Sequence, residues 1–419
     1  MKRIGKLAIA AAAAATLGAG AAYGEDNVLR VWWYEPPDSA LGIAWTEALN
    51  EFKAMHPDVE VQFELKTFDQ INSAGTMILN SSEAPDVLEY NKGNGTAGLA
   101  ASQGLLQSLD EAYAANGWDK YISMDSLALG RYDQNGIFGS GPLVGIPNYG
   151  EFVSVFYNAD MLAENGMEIP TTLEEFEAIM DQFVAKGITP IAEAANDYPA
   201  QHLMYMLALS QADADWVSTY EGLKAPLDPA PFVYAGQKLQ DWVAKGYISA
   251  DATGMNADDM TSEFMAGNSP FVVGGTWLST SYGNIDTFKA SQFLFPGQKY
   301  APGSTGNMWI VPKNAENKDL AYDFITITLG EKVQNLMGNS GGLPIAANPD
   351  EITNPVGKTT SALFGELVAR GGLGFYPDWP VAGFYNEVLQ ATQAVIGGRA
   401  TPEEFGARLK KFYDDGMDQ

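Results

Sequence analysis

Cysteine is absent from the 419 residues of this chain, and histidine occurs only twice. The lack of thiols excludes disulfide bridges, thiolate metal ligands and cysteine nucleophiles. Two histidines, His56 and His202, are too few for the usual transition-metal sites. We therefore expect no metal site and no cofactor.

Basic residues are also scarce. The 24 lysines and arginines are outnumbered by 52 aspartates and glutamates, which gives a formal net charge of -28. Such a surface repels nucleic acid and anionic lipid, so neither is an expected partner. The negative charge is first of all a source of solubility. It disfavours anionic ligands, although a local cationic pocket could still bind one.

Long apolar runs are missing as well, since no segment beyond the N-terminus reaches 18 uninterrupted apolar residues. Residues 1–22 begin with basic side chains, continue through an apolar Ala/Leu/Ile run and lead to the small residue Gly24. This order is typical of a secretory signal peptide. It is predicted over residues 1–24, with cleavage near Gly24.

The composition that remains is globular, with 46% hydrophobic and 11% aromatic residues. About 395 residues follow the signal peptide (419 minus 24), more than one core usually holds, so two domains are expected. Predicted strands near Val28–Trp33, Val59–Leu65 and Val87–Glu89 alternate with predicted helices near Leu41–Met55 and Gln70–Leu79. This alternation indicates an α/β fold, whose ligands bind at the carboxyl ends of parallel strands.

The segment Gly145–Phe176 has the clearest local pattern in the chain. Phe152–Tyr157 is apolar at nearly every position, which predicts a strand buried on both faces. Asn158 or Asp160 is the predicted N-cap of a short helix that ends at Asn165-Gly166. Thr172 with Glu175 predicts a capping box, which opens a second helix.

This segment resembles the bacterial extracellular solute-binding proteins of the family 1 type, the sugar-capturing subunits of ABC importers. Other segments resemble the same family in the same order along the chain. They are Leu29–Trp33 with Trp45 and His56–Val61, Ala84–Val87 with Leu99 and Gln103–Asp110, Phe264–Asn268 leading to Gly275–Trp277, and Ala321–Ile325 with Glu331, Gln334 and Leu343-Pro344.

The resemblance implies a two-lobed periplasmic binding protein fold of the type II kind, with a ligand cleft between lobes joined by a hinge. Residues 25–145 and 291–335 are then expected in lobe 1 and residues 146–290 in lobe 2, while 336–419 form helices of lobe 2 and the hinge region. The segment Ser291–Phe295 is the predicted return to lobe 1. Without a cysteine there is no lipid anchor, so the expected location is the periplasm.

The resemblance also implies what the protein does and with what. It would be a monomer that binds a small carbohydrate and delivers it to the permease subunits of an ABC importer in the inner membrane. No catalytic residue is expected, because capture and release make and break no bond. Ligand binding would shift the population from an open form to a form closed at the hinge.

Candidate ligand-binding residues follow from where the aromatic and polar residues lie, since sugar rings stack on aromatic faces and hydroxyls bind carboxylates and amides. The first predicted strand ends in Trp33, Tyr34 and Glu35. Adjacent side chains of a strand point to opposite faces, so we assign Trp32 to the core and Trp33 or Tyr34 to the cleft. Tyr90 and Asn91 end another strand in the same way.

Further candidates come mostly from the resemblance. Trp277 matches an aromatic residue that stacks on sugar in the family, and Gly275 before it would let a ligand approach the backbone. At the lobe crossing, Glu151 is the candidate for an acidic ligand contact, and Asn148 lies beside it. Asn196 and Tyr198 match a ligand-contacting loop of the family. Two tryptophans, Trp309 and Trp379, are also candidates, although a core role is equally open for each.

Two other functions stay open from the sequence. A secreted glycoside hydrolase could draw a carboxylate pair from 52 acidic residues, although nothing places two of them across one cleft. The chain could also bind a non-sugar solute such as a polyamine. By contrast, Gly93–Gly98 fits G-x-G-x-x-G without the second strand that a dinucleotide site needs. Gly338–Gly342 fits G-x-S-x-G, but no histidine follows it.

Overall fold

The computed structural model describes residues 27–122, 126–297 and 299–417. The predicted signal peptide, residues 1–24, lies outside the described residues. The strands are β1 Val28–Trp33, β2 Glu60–Leu65, β3 Val87–Tyr90, β4 Arg131–Tyr132, β5 Phe138–Leu143, β6 Gly145–Pro147, β7 Glu151–Asn158, β8 Ile191–Ala192, β9 Phe271–Gly275, β10 Ala290–Phe293, β11 Gly303–Ser304 and β12 Met308–Ile310.

Helices alternate with these strands and then dominate the C-terminal third. They are α1 Ala40–Met55, α2 Phe68–Leu79, α3 Leu99–Ser102, α4 Asp110–Ala115, α5 Ala159–Glu164, α6 Leu173–Val184, α7 Pro199–Leu209, α8 Ala214–Glu221, α9 Ala230–Ala244, α10 Ala257–Met265, α11 Ser279–Gly283, α12 Lys318–Thr328, α13 Glu331–Asn339, α14 Pro355–Ala369, α15 Phe384–Ile396 and α16 Pro402–Met417. Across the described ranges, none of them is both long and apolar enough to span a bilayer.

The first sheet has the strand order β2-β1-β3-β12-β6. The pairs β1-β2 and β1-β3 are parallel, whereas β12 runs antiparallel to β3 and β6. Apolar side chains cover both faces, with α1, α12 and α13 over one of them. The carboxyl ends of β1 and β3 therefore lie at one edge of this sheet, where Glu35 and Asn91 follow them.

The second sheet has the order β10-β7-β9-β8, and β11 also pairs with β7. Its central strand β7 is buried at seven of eight positions, as its apolar sequence predicts. The largest apolar cluster of the described residues joins one face of this sheet to α6, α7, α9, α15 and α16. A short hairpin of β4 and β5 extends from the first sheet's side of the molecule.

The local pattern in Gly145–Phe176 is largely as predicted. Asn158 caps α5, since its side chain accepts from the Met161 N–H at 2.9 Å, and Thr172 caps α6 by accepting from the Glu175 N–H. The predicted capping box is incomplete. The Glu175 carboxylate accepts chiefly from the N–H and the hydroxyl of Thr171, one residue before the N-cap.

The chain passes between the two sheets where β6 leads to β7 and again where β11 leads to β12. These crossings lie side by side, because the Asn148 N–H donates to the Asn307 carbonyl at 3.2 Å. Gly306 has φ 81, and a Cβ there would lie 2.2 Å from the Tyr149 carbonyl oxygen, so only glycine fits this crossing. A third connection joins α13, which packs on α1, to α14, which packs on β10.

One predicted assignment differs from the structure. The segment Ser291–Phe295 was expected to return the chain to lobe 1, yet β10 pairs antiparallel with β7 in the second sheet, with Phe293 opposite Val155. The chain reaches the first sheet only at β12, beginning at Met308. Strand pairing decided the outcome, because the apolar pattern of a short buried strand does not identify its sheet.

Candidate functional site

A buried polar network lies where the first crossing meets the carboxyl end of β3. Lys92 forms an ion pair with Glu151, and both side chains are at most 5% exposed. The Lys92 ammonium also donates to the Asn307 side-chain oxygen at 3.1 Å. The Tyr149 hydroxyl donates to the other Glu151 carboxylate oxygen at 3.1 Å. The network thus joins a loop of the first sheet to the first residue of β7 in the second.

Two further carboxyl groups lie next to this network. Burial, and next the charge of Glu151, raises the pKa of Glu35 to about 8. Burial, and next the charge of Glu35, raises the pKa of Glu89 well above its ordinary value. One oxygen of Glu89 accepts from the Asn148 amide at 3.0 Å. Lys92 is thus paired with Glu151, whereas Glu35 and Glu89 have no ion pair of their own, which favours their protonation.

An aromatic cluster on the second sheet's side adjoins the network. The Lys92 ammonium lies 4.5 Å from the centre of the Tyr376 ring, a cation–π contact. Tyr376, His202 and Trp277 are mutual neighbours, with ring centroids 5.5 to 6.4 Å apart. The Trp277 indole N–H donates to the Tyr198 hydroxyl at 3.3 Å. Trp277 is only partly buried, so part of its ring remains open to contact.

His202 belongs to this cluster as a neutral ring. Burial, and next the charge of Lys92, lowers the pKa of its imidazole to about 3. It is 7% exposed and lies between the rings of Tyr198, Trp277 and Tyr376. At neutral pH it therefore adds an uncharged aromatic face.

A cavity of about 720 Å³ opens between the two sheets beside this cluster. Its lining comes from α2 and the loop after β3 on one side, and from the loop after β8 and the start of α15 on the other. Tyr90 and Asn196 are lining residues, and Asn196 and Asp197 lead directly to Tyr198 of the aromatic cluster. The volume is within the range of about 300 to 1,000 Å³ that is usual for small-molecule sites.

A strained loop brings the C-terminal region into this cleft. Phe375 has φ 42, an uncommon conformation for a bulky residue, and its ring stacks on Trp379 at 4.1 Å. Phe138 of the β4–β5 hairpin packs edge-on against both rings. The same loop supplies Tyr376 and Asp378, and the Asp378 carboxyl accepts from the Asn91 side chain.

The structure brings most of the sequence-predicted site residues together in these groups. Five of the predicted residues lie in or beside the polar network: Tyr34, Glu35, Asn91, Asn148 and Glu151. The hydrogen bonds and the ion pair place Asn91, Asn148 and Glu151 there, and the charges of Glu35, Glu89 and Glu151 act on the Tyr34 hydroxyl. Of these, Asn148 is fully buried at the crossing, where its amide is engaged by Glu89, so it does not reach the cavity.

Trp33 and Gly275 have other surroundings than the sequence predicted, whereas Trp309 and Trp379 have the core role that the sequence left open beside a binding role. Trp33 is 2% exposed and packs in the core beneath α1, whereas Trp32 is half-buried under the Lys66 ammonium. The two side chains do point to opposite faces of the sheet, but it is Trp33, and not Trp32, that faces α1 and is fully covered. Trp309 is fully buried against Trp45 and Phe324.

Gly275 accommodates a neighbouring side chain. A Cβ there would lie 2.1 Å from the Trp277 ring, so the indole itself covers this backbone, where a ligand was expected. Trp379 is 2% exposed and is held between Phe375, Phe138 and the loop at Gly93, outside the cavity lining.

Lys92, His202, Tyr376, Asp378 and Glu193 were not among the sequence candidates. Lys92 follows Asn91 in a loop that was already a candidate, so its position was available as a signal. Tyr376 and Asp378 come from the aromatic, proline-containing loop before α15, more than 200 residues from Glu151, and only the tertiary fold brings them here. No local signal distinguishes His202 within the apolar α7.

Comparison with known proteins gives the family. The model of the bacterial extracellular solute-binding protein family matches residues 38–335. The chain belongs to this family. The matched residues run from α1 through the first crossing to the return of the chain to the first sheet at β12 and on to α12.

Individual relatives are distant. A probable sugar-binding periplasmic protein of Rhizobium meliloti is 24% identical over 226 residues, which are 52% of each chain, so the match spans about half the length of that relative. A maltotriose-binding protein of Pyrococcus abyssi is 24% identical over 77% of this chain and 68% of its own. These relatives are solute-binding proteins by name, not enzymes.

Solved structures give the fold of this solute-binding protein. A chitin oligosaccharide binding protein superposes with a TM-score of 0.81 at 20% identity, over 94% of this chain and 100% of its own. The fold is thus the α/β, two-lobed periplasmic binding protein fold, with its cleft between lobes joined by a hinge, as the resemblance predicted.

Burial of Glu193, just after β8, leads to a prediction on stability. Burial raises the pKa of its carboxyl to about 8, although the Ala194 N–H donates to it. The folded protein thus keeps the Glu193 carboxyl protonated up to about pH 8, whereas the unfolded chain loses this proton above the ordinary pKa of a glutamate. The contribution of Glu193 to the free energy of unfolding is full below that value and falls by about 1.4 kcal/mol per pH unit up to pH 8. Glu193→Gln should flatten this fall in urea unfolding at pH 5, 6.5 and 8.

The exposed Glu164 at the end of α5 supplies the matched control. Glu164→Gln makes the same chemical change where the carboxylate stays hydrated, so its pH profile should follow the wild-type profile. Equal slopes for the Glu193→Gln variant and the wild type would contradict the assigned proton.

Proposed function

We propose that this protein captures a carbohydrate, a mono- or oligosaccharide, in the cleft between its lobes and delivers it to an ABC importer. One observation carries the proposal: a half-buried tryptophan within an aromatic cluster adjoins a buried polar network and a cavity between the sheets. Sugars need this combination, because their C–H faces stack on rings while their hydroxyls need paired polar groups.

Each part of the site has a role in this proposal. Trp277 offers the aromatic face, and Tyr198 fixes its orientation through the indole N–H. Amides and hydroxyls of the cavity lining, such as Asn196 and Tyr90, bind sugar hydroxyls. The buried Lys92–Glu151 pair holds the loops beneath the ligand. No bond of the sugar is broken, because the protein acts by binding alone.

Ligand binding would be coupled to hinge closure. We place the hinge at the two adjacent crossings, residues 148–150 and 305–307, and at the connection from α13 to α14. The lobes then comprise residues 27–147 with 308–339, and residues 151–304 with 355–417. A ligand that contacts both lobes stabilises the closed form by its differential affinity for that form. The closed pair of lobes would be the surface that the permease recognises.

Export completes the proposal. The chain belongs to a family of extracellular solute-binding proteins. We propose that residues 1–24 are a signal peptide and that the protein acts as a monomer in the periplasm.

A thermal-shift screen tests the function. The purified protein is heated with mono- and oligosaccharides, with spermidine and putrescine as non-sugar arms, and a sugar is expected to raise the melting temperature in a concentration-dependent way. The stabilising sugar is then recovered and assayed for new reducing ends. Intact sugar is expected. New reducing ends would indicate a glycoside hydrolase, and stabilisation by polyamines alone would indicate a polyamine-binding protein.

A further inference from the structure

The cavity between the lobes is acidic on several sides. Asp69 of α2, Asp197 of the loop after β8 and Asp378 of the loop before α15 all line it. Among the described residues, no lysine, arginine or histidine lines this cavity. Burial raises the pKa of Asp378 and the charge of Lys92 opposes this rise, but Lys92 does not line the cavity and is already paired with Glu151.

The three carboxylates lie around one phenol, Tyr385, at the start of α15. The Tyr385 hydroxyl donates to Asp69, and burial, followed by the charges of Asp69, Asp197 and Asp378, raises its pKa. Burial, and next the charge of Asp197, raises the pKa of Asp69. The carboxylates therefore belong to one electrostatic group that lacks a cation on its open side.

Tyr90 points independently to a ligand in the same cavity. It is 2% exposed and lines the cavity, and its hydroxyl lies directly over Gly75, another lining residue, 2.2 Å from where a Cβ would be. Among the described residues, this hydroxyl has no hydrogen-bond partner. Because the ring is buried and Tyr90 lines the cavity, this hydroxyl takes its hydrogen-bond partner from whatever fills the cavity.

The rest of the lining is suited to hydroxyl groups. It contains carboxamides and small hydroxyl side chains, which are Asn72, Ser73, Thr76, Thr96, Asn196, Asn256 and Asn386. These groups donate and accept, as a polyol requires, whereas a polyamine needs acceptors only.

We propose that the carbohydrate held in this cavity carries a protonated amine, as an amino sugar whose nitrogen is not acylated. This inference rests on the proposed function and adds the charge of the ligand. The amine would lie among Asp69, Asp197 and Asp378 and supply the missing cation, while Tyr90 and the amides bind the hydroxyls of the same ring. Two or three carboxylates around one ammonium satisfy its three N–H donors.

Three series of β-1,4-linked di- to tetrasaccharides test the inference, because they differ only at carbon 2. Glucosamine oligomers carry an ammonium group there, N-acetylglucosamine oligomers an amide and glucose oligomers a hydroxyl. Titration calorimetry at pH 6.5 and low salt should show the amine series binding at least about tenfold more tightly than either neutral series. The preference should shrink in about 0.5 M NaCl, because salt screens the charges.

Variants locate the effect. Asp69→Asn and Asp197→Asn should each reduce the preference for the amine several-fold, with smaller changes for the neutral series. Asp350→Asn is the matched control, since Asp350 is exposed and outside the cavity lining, and its preference should equal that of the wild type.

The outcomes separate this inference from the proposed function. Equal or tighter binding of a neutral series, or no binding of the amine series, would overturn the inference. The proposed function would stand in either case if a neutral sugar binds in the thermal-shift screen. Binding of spermidine without binding of any sugar would overturn both.

Discussion

Trp277→Ala is expected to weaken sugar binding by about 1 to 3 kcal/mol, a loss of roughly fivefold to 150-fold in affinity. Trp277 offers the largest aromatic face that is only partly buried at the cleft, and its ring is oriented by Tyr198 and supported by His202 and Tyr376. Alanine removes the face on which a pyranose ring would stack. Titration calorimetry with a sugar from the thermal-shift screen measures the loss.

A second tryptophan provides the control. Trp216 of α8 is also partly buried, but it stacks on Tyr220 and donates to the Asp228 carbonyl, and it makes no ring contact with the aromatic cluster around Trp277. Trp216→Ala should leave the affinity within about twofold of the wild-type value. If Trp277→Ala left affinity unchanged within error, Trp277 would not belong to the binding site.

Lys92→Met is expected to lower the free energy of unfolding by about 3 to 5 kcal/mol at pH 7. Lys92 and Glu151 are almost fully buried, so removal of the ammonium leaves a carboxylate in a poorly solvated place without its cation. Glu35, whose pKa is raised to about 8, is largely protonated at pH 7 and supplies no replacement cation for Glu151. Chemical denaturation with a fluorescence readout measures the change.

A double variant separates this charge effect from lost packing. Lys92→Met combined with Glu151→Gln removes both charges, so it should recover most of the stability that the single variant loses. Lys411→Met removes an exposed ion pair with Asp415, where solvent screens the charges and the loss should be much smaller than that of Lys92→Met. A Lys92→Met loss no larger than the Lys411→Met loss would contradict the buried-pair account.

Much of the local structure could be predicted from the sequence, because short-range rules determine it. The strand around Phe152–Tyr157 and the caps at Asn158 and Thr172 depend on patterns within a few residues. The second predicted helix of this segment begins directly after the predicted cap Thr172. The two-lobed fold depended instead on the resemblance, which the family match over residues 38–335 confirms.

The tertiary surroundings of individual side chains could not be predicted in this way. Alternation along β1 requires Trp32 and Trp33 to face opposite ways, but the packing of α1 decides which face is core, and it covers Trp33. In the same way, a short apolar strand does not specify its partner, so β10 was assigned to the wrong sheet.

The missing half of the site comes from distant sequence. Tyr376 and Asp378 reach the cleft because the loop before α15 folds back over the loop after β3, where the Gly95 N–H donates to the Trp379 carbonyl at 3.1 Å. Gly93 and Gly95 allow this approach, since a Cβ at either residue would contact the returning backbone. A glycine-rich run that fits a nucleotide motif thus serves as a packing surface for another part of the chain.

The central claim is that a carbohydrate binds between the two lobes. A crystal structure of the protein with a sugar that stabilises it tests this most directly. We predict that the intact sugar lies between the sheets, with one ring against Trp277 and its hydroxyls bound by residues of both lobes, including Tyr90 and Asn196. Sugar bound only on the outer surface, or a cleft that stays empty at saturating sugar, would contradict the account.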